Sequence, residues 1–484
     1  MTLTNRTDDG WATTRFVVLG FGTAGYACAD SLLQAGAEHV IVVDDRDNEA
    51  LRDKAQILEV LGATIILGQH STLGPGSTAT LPQDVDIVVT SPGVPPSAPL
   101  LAQAAERDIP VWSEIELAWR LRDPANAAPW LCVTGTNGKT TTVQMLTAIL
   151  SAAGHRAVAA GNVGLPLLEA VMDPEPYDVI AVELSSYQLH FTHSMSAHSA
   201  AVLNLAPDHI DWHGSMDAYA ADKGKIFTNC QVACVYNVAD PVTEQLVLDA
   251  DVIEGCRAIG FTLGMPGLSM VGLVEDLLVD RAFVEQRQTS ALELAKVEDV
   301  NPPAPHNVAN ALAAAALARA FGVPAAAVRD GLRGFTPDKH RIAHVAEVAG
   351  VNYVDDSKAT NPHAAQASLL AYEHVVWIAG GQAKGATFDD LVIAAKDRLR
   401  AVVLLGQDKA VIAEALERHA PDVPKIVVES TDTGAMEIVV GEAAKLAQVG
   451  DTVLLAPGCA SWDMFANYGA RGDAFAEAVR GLRD

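Results

Sequence analysis

Trp130-Leu131-Cys132-Val133-Thr134-Gly135-Thr136-Asn137-Gly138-Lys139-Thr140-Thr141 is the stretch on which the fold turns. An apolar run of strand character, 130–135, meets a loop bounded by two glycines. A helix is predicted from about residue 139. Strand, glycine loop and helix in that order build a cradle for phosphate. The glycines let the backbone wrap an anion, Lys139 reaches β- and γ-phosphates, and the Thr140 hydroxyl suits magnesium. Gly135, Thr136, Asn137, Gly138, Lys139, Thr140 and Thr141 are therefore candidate nucleotide ligands. Val133 occupies the first glycine position of the strict GxxxxGK[ST] pattern, so the motif is a variant of it.

Upstream, RFVVLG (15–20), HVIVVDD (39–45) and VDIVVTSPG (85–93) read as three strands, with helices at 23–36 and 48–62. This βαβ rhythm predicts a parallel sheet covered on both faces. Gly20-Phe21-Gly22-Thr23-Ala24-Gly25 follows the first strand and opens a helix. Such a turn offers N–H groups to an anion, and Asp44 and Asp45 end the next strand where a ribose acid would sit. A dinucleotide, another nucleotide, or a tight turn without ligand all fit the spacing.

Downstream, strands are predicted at 178–183 and 200–205, and the segment 265–300 shows no clear periodicity. Glu183 closes its strand beside the predicted phosphate loop, as a magnesium ligand or as a helix cap. His209 sits just past the next strand end, in a run with two Asp and two His, as a metal or phosphate contact. Lys223 reads as solvated surface unless it faces the phosphate. Asn307 and Asn310 are helix polar residues or base contacts. His190, His193 and His198 read as structural. An Ala-rich helix spans 307–321, and GFTPDKHR (334–341) reads as a linker. Beyond it, strands are predicted at 351–355, 375–379, 401–405, 425–428 and 452–456. Three polar loops follow strands there: around Asp356, at Lys384, and at Pro457–Ser461. They would give one cationic, anion-binding face.

Length and charge narrow the function. A chain of 484 residues is enough for roughly three domains. Its net charge of −27 repels phosphate backbones, so nucleic acid is not an expected partner. No run approaches the roughly 18 apolar residues of a membrane helix, and the first residues lack the apolar core of a secretory leader. The six cysteines form no CxxC pair; Cys230 and Cys234, four apart, carry little metal signal alone. A cytoplasmic chain without membrane attachment is expected.

The motifs GTNGKTT (135–141), ELSSYQL (183–189), NLAPDHIDWHG (204–214), the turn Tyr219–Lys223, HNVANALAA (306–314), DDSKATNP (355–362) and PGCASWDMF (457–465) stand in one order. Together they resemble the Mur ligase family, over essentially the whole chain. The resemblance implies an α/β protein of three domains. A Rossmann-like N-terminal domain (1–113) holds a UDP-sugar, a P-loop-type central ATPase domain (114–337) binds ATP, and a Rossmann-like C-terminal domain (338–484) brings the amino acid. It implies a monomeric ligase that adds D-glutamate to UDP-N-acetylmuramoyl-L-alanine through an acyl phosphate, in peptidoglycan precursor synthesis. A sister ligase adding another amino acid is the alternative.

The resemblance also assigns roles. Lys139, His209 and Lys223 would be catalytic. Thr140, Glu183, His209 and Lys223 would lie at magnesium, with two ions expected and Lys223 carbamylated by CO2. Asn307, Asn310, Arg341 and Asp356 would contact ATP. Thr23, Asp45, Arg46, Ser91 and Gly93 would hold the UDP end, and Asn162 and Ser185 the muramoyl-peptide end. Thr360, Lys384, Ser461 and Tyr468 would form the D-glutamate pocket. Closure about Thr336–Lys339 is expected to bring the substrates together.

Overall fold

The computed structural model describes residues 10–68, 79–123, 125–430, 432 and 434–482. The chain forms two compact units. One runs up to Val300 and includes Asn307–Phe335; the other comprises Asn301–His306 and the chain from Thr336.

The first unit holds two sheets. Strands β1 (Arg15–Leu19), β2 (His39–Asp44), β3 (Thr64–Leu67), β4 (Ile87–Thr90) and β5 (Val111–Ser113) are arranged in the order β3-β2-β1-β4-β5. Every pairing is parallel. The run at 85–93 is thus the fourth strand, not the third. β3 and β5, four and three residues long, lie at the two edges of the sheet, too short to stand out.

The second sheet has nine strands: β6 (Trp130–Thr134), β7 (Ala157–Gly161), β8 (Val179–Glu183), β9 (Ser199–Val202), β10 (Ala233–Asn237), β11 (Arg257–Phe261), β12 (Met270–Val274), β13 (Leu277–Asp280) and β14 (Leu292–Lys296). Their order is β14-β13-β12-β11-β10-β9-β6-β8-β7. The stretch without periodicity, 265–300, is the β12–β14 meander, paired antiparallel.

Burial explains the continuous apolar runs. Along β6, Trp130 and Cys132 enter one core while Leu131 and Val133 enter another on the opposite face. A parallel strand covered on both sides has no polar face to show. The core on the Trp130 side is continuous with that of the first sheet, from Trp11 and Phe16 through Trp112 to Ile226. That shared core joins the two sheets into one unit. Polar ties reinforce it: Gln188 donates to the buried Glu114 carboxylate at 2.7 Å, and the His193 and Ser194 N–H groups donate to Glu116 at 2.8 and 2.9 Å.

The second unit holds β15 (Ala343–Val348), β16 (Val351–Asp355), β17 (Val375–Gly380), β18 (Leu399–Leu405), β19 (Lys425–Val427) and β20 (Thr452–Leu455), in the order β15-β16-β20-β17-β18-β19. Only β15 runs antiparallel. Trp377 and Ile378 on β17 again face opposite cores. Among the described residues no helix is long and apolar enough to cross a membrane.

Candidate functional site

In the nine-stranded sheet β6 lies between β8 and β9. The loop leaving β6 therefore opens at the carboxyl ends of three neighbouring strands, where ligands collect in α/β sheets. Gly135 has φ +149° and Gly138 φ +85°, and Gly138 caps the helix Lys139–Ala152. A Cβ on Gly138 would come within 2.3 Å of Asn310 Oδ1, so the helix Pro305–Ala320 closes one side of the loop. Hydrogen bonds fix the rest. Thr136 N–H donates to the Asn204 carbonyl at 2.9 Å, and Asn137 N–H to Asn204 Oδ1 at 2.8 Å. The Thr136 hydroxyl lies 3.0 Å from the Tyr219 hydroxyl. Lys139 donates to the carbonyls of Gly135 and Thr136 at 2.8 and 3.0 Å. Thr140 and Thr141 are buried at the start of that helix.

Lys223 is not solvated surface. It is buried, donates to the Gly135 carbonyl at 3.0 Å, and lies over the Tyr219 ring. Burial and then the Lys139 charge push its ammonium well below the usual lysine range, against the pull of Asp208, Glu183 and Asp222. Lowering an ammonium's pKa raises its share of neutral, nucleophilic amine.

Beside it sits a group the sequence did not single out. The Asp222 carboxylate meets His190 Nδ1 at 2.7 Å and His213 Nδ1 at 2.9 Å, and Lys225 at 2.8 Å. Burial works to raise the Asp222 carboxyl, but those hydrogen bonds outweigh it and hold it well below the usual range. Asp222 and its two histidines form a hydrogen-bonded cluster at the residue next to Lys223 in the chain. The only sequence signal for it was adjacency in the chain.

Glu183 is buried at the end of β8. Asn162 donates to one oxygen at 2.9 Å, and the other has no hydrogen-bond partner among the described residues. An anionic oxygen buried without a partner is costly, and a hard divalent cation would satisfy it. His209 takes a left-handed conformation, φ 55°, and packs on the Tyr187 ring at 4.8 Å. Ser185 caps the helix Ser186–His190 in a capping box with Gln188. Asn307 and Asn310 are buried on their helix.

In the first sheet, Gly20 and Ser91 face each other across the β1/β4 junction, the point at which the strand order reverses. The Ser91 hydroxyl donates to the Gly20 carbonyl at 3.3 Å. Asp44 is committed to the loop: it accepts from Phe21 N–H and grips Arg46 through Nε at 2.9 Å. Asp44 is therefore a brace rather than a free ribose acid. Thr23, Arg46 and Gly93 are exposed, and Ser91 and Asp45 are half-buried.

The second unit brings its three polar loops together because β20 lies between β16 and β17. Arg471 is buried among them and donates to Ser357 Oγ, the Ser357 carbonyl and the Cys459 carbonyl at 3.0, 2.8 and 3.1 Å. The sequence reading missed this arginine, which lies on a helix outside every quoted motif. Lys358 lies over the Tyr468 ring at 4.0 Å, and Lys384 over Trp462 at 4.1 Å. Ser461 is buried and Thr360 half-buried nearby in the same loops. Asp356 accepts from the Ser368 hydroxyl, and burial raises its carboxyl to about 6 despite that bond and the neighbouring Arg341.

Fold and site define a three-sheet α/β protein with a phosphate loop of the nucleoside-triphosphate-binding kind. Comparison with known proteins narrows the class. Three family models match: a Mur ligase MurD-like N-terminal domain over residues 14–113, the Mur ligase middle domain over 133–318, and a Mur ligase glutamate ligase domain over 340–459. The chain belongs to the Mur ligase family. The UDP-N-acetylmuramoylalanine–D-glutamate ligase of Streptomyces avermitilis is 64% identical over 472 residues, covering 98% of this chain and 99% of that protein. The enzyme of the same name from Thermobifida fusca is 55% identical over 470 residues, 97% of this chain and 98% of its own. Among solved structures, a pseudomurein peptide ligase type C from Methanothermus fervidus shares the fold at TM-score 0.58 and 17% identity, over 97% of this chain and all of that one.

Proposed function

We propose that this chain is an ADP-forming ligase that joins D-glutamate to UDP-N-acetylmuramoyl-L-alanine in peptidoglycan precursor synthesis. The observation that carries the reading is the near-full-length identity to D-glutamate ligases, combined with a phosphate loop set against a buried Glu183 with one oxygen lacking a hydrogen-bond partner. The proposal takes residues 1–113, 114–337 and 338–484 as the UDP-sugar, ATP and amino-acid domains of a cytoplasmic monomer.

In the first step an oxygen of the alanine carboxylate attacks the γ-phosphorus of ATP. The bond to the β-phosphate oxygen breaks, giving an acyl phosphate and ADP. Lys139 exchanges its loop carbonyls for phosphate oxygens, and the loop N–H groups hold the charge that develops on them. In the second step the D-glutamate amine attacks the acyl carbon. Inorganic phosphate leaves, and the amine loses a proton to solvent or to a nearby base. His209, which packs on Tyr187, would orient the acyl group.

Thr140, Glu183 and His209 would hold magnesium, and Lys223 would join them as a carbamate. Bound magnesium supplies positive charge that offsets that of the transferring phosphoryl group. The depressed Lys223 amine supports carbamylation, since only a neutral amine adds CO2. Asn307, Asn310, Arg341 and Asp356 would hold the nucleotide. Thr23, Asp45, Arg46, Ser91, Gly93, Asn162 and Ser185 would take the UDP-sugar peptide, and Thr360, Lys384, Ser461 and Tyr468 the D-glutamate.

The test is phosphate release with ATP, Mg2+ and UDP-N-acetylmuramoyl-L-alanine, comparing D-glutamate with L-glutamate, meso-diaminopimelate, L-lysine and L-alanine. Release with D-glutamate alone is expected. Release with another amino acid instead would move the chain to a sister ligase.

A further inference from the structure

At the end of the nine-stranded sheet opposite the phosphate loop, three thiols converge. Cys230 lies in the loop before β10, Cys234 is the second residue of β10, and Cys256 immediately precedes β11. Register brings the last two together. Cys234 is level with Ala258 on the parallel neighbour, so Cys256, two residues earlier, points to the same face. The sulfurs of Cys234 and Cys256 are 3.7 Å apart, and all three sulfurs lie within 4.8 Å of one another. Sequence spacing paired only Cys230 with Cys234. The third thiol comes from 22 residues further on, through the β10–β11 pairing.

The separation discriminates between two chemistries. A disulfide needs sulfurs at about 2.05 Å, and all six cysteines are free. Two metal–sulfur bonds of about 2.3 Å at a tetrahedral angle hold their sulfurs about 3.8 Å apart. The Cys234–Cys256 separation of 3.7 Å is sulfur–sulfur contact and not a bond, and it already equals what the second requires. Cys230 and Cys234 are fully buried, while Cys256 is half-buried. The cluster is therefore closed on the core side and least buried at Cys256, the side from which an ion would enter.

The geometry points to a trithiolate site at Cys230, Cys234 and Cys256 for a soft divalent ion of the zinc class, separate from the ATP site. On binding, the three thiols release their protons to solvent and three sulfur–metal bonds form. The fourth position faces water on the Cys256 side. The site would staple the loop before β10 to the start of β11.

The fully reduced full-length protein, with six titratable thiols, is titrated with Co2+ and read by absorbance. One equivalent is expected to give the near-ultraviolet sulfur-to-cobalt charge-transfer band, which Zn2+ then removes. Oxygen and nitrogen ligands at the phosphate loop give no such band, so occupancy there is not mistaken for it. Cys234→Ser and Cys256→Ser are each expected to abolish it. Cys256 is half-buried, so its variant keeps the test valid if Cys234→Ser fails to fold. Absence of the band, its persistence in both variants, or a Cys234–Cys256 disulfide in protein prepared without reductant would each overturn the proposal.

Discussion

Asp356 shows how far a single residue's energetics depart from its type. Its carboxyl accepts from the Ser368 hydroxyl and from Ile342 N–H at 3.3 Å. Burial still dominates and raises it to about 6. A carboxyl raised in the folded state binds its proton more tightly there than in the unfolded chain. Its contribution is therefore most favourable below about pH 4 and is lost as pH rises through about 6. Asp356→Asn removes that titration. In the absence of nucleotide, its stability relative to the parent should improve by about 1 kcal/mol between pH 5 and pH 7.5. Chemical denaturation at the two pH values checks this; an unchanged difference would mean that Asp356 is solvated. At this scale the sequence displayed the groups that would meet the nucleotide, and not the groups that hold them. Lys139, Thr140 and Glu183 stand in a motif. Tyr219, 83 residues from Thr136, and His190, 32 residues from Asp222, become partners only when strands align.

Elements were legible where burial is two-sided and long. β1, β2, β6, β8, β17 and β18 are apolar runs whose alternate residues enter opposite cores, and a run needs no periodicity to be seen. The missed elements lack that signal. β7 is AVAAG on the sheet edge, and β14 carries exposed Leu292 and Glu293. The GxGxxG turn was legible for a different reason, which is steric. A Cβ on Gly25 would lie 1.8 Å from the Gly20 carbonyl oxygen and 3.1 Å from Ser91 Oγ. The helix Thr23–Gln34 packs this closely on its strand only without a side chain there. Gly25→Ala should therefore cost about 1–3 kcal/mol and raise the KM for the UDP-sugar more than that for ATP. Denaturant midpoints and separate KM measurements check it. A stable variant with both KM values unchanged would mean that the turn relaxes freely.

The whole molecule sets a problem that its site must solve. The chain carries a net charge of −27, yet ATP, the UDP-sugar and glutamate are all anions. The cations that would meet them are local: Arg46 at the first sheet, Lys139 at the phosphate loop, Lys358 and Lys384 over aromatic rings in the second unit. Ionic strength separates the two fields. At 10 mM salt the Debye length is about 30 Å, and the acidic surface is felt throughout an approach. At 150 mM it is about 8 Å, which screens the distant carboxylates but leaves a lysine in contact range largely intact. Raising salt from 10 to 150 mM should therefore increase kcat/KM for the UDP-sugar, by roughly a factor of two. Initial rates at limiting UDP-sugar, with ATP and Mg2+ saturating, measure it. A fall in kcat/KM would mean that the local cations govern the approach from long range, and Arg46→Met would then be expected to abolish the salt dependence.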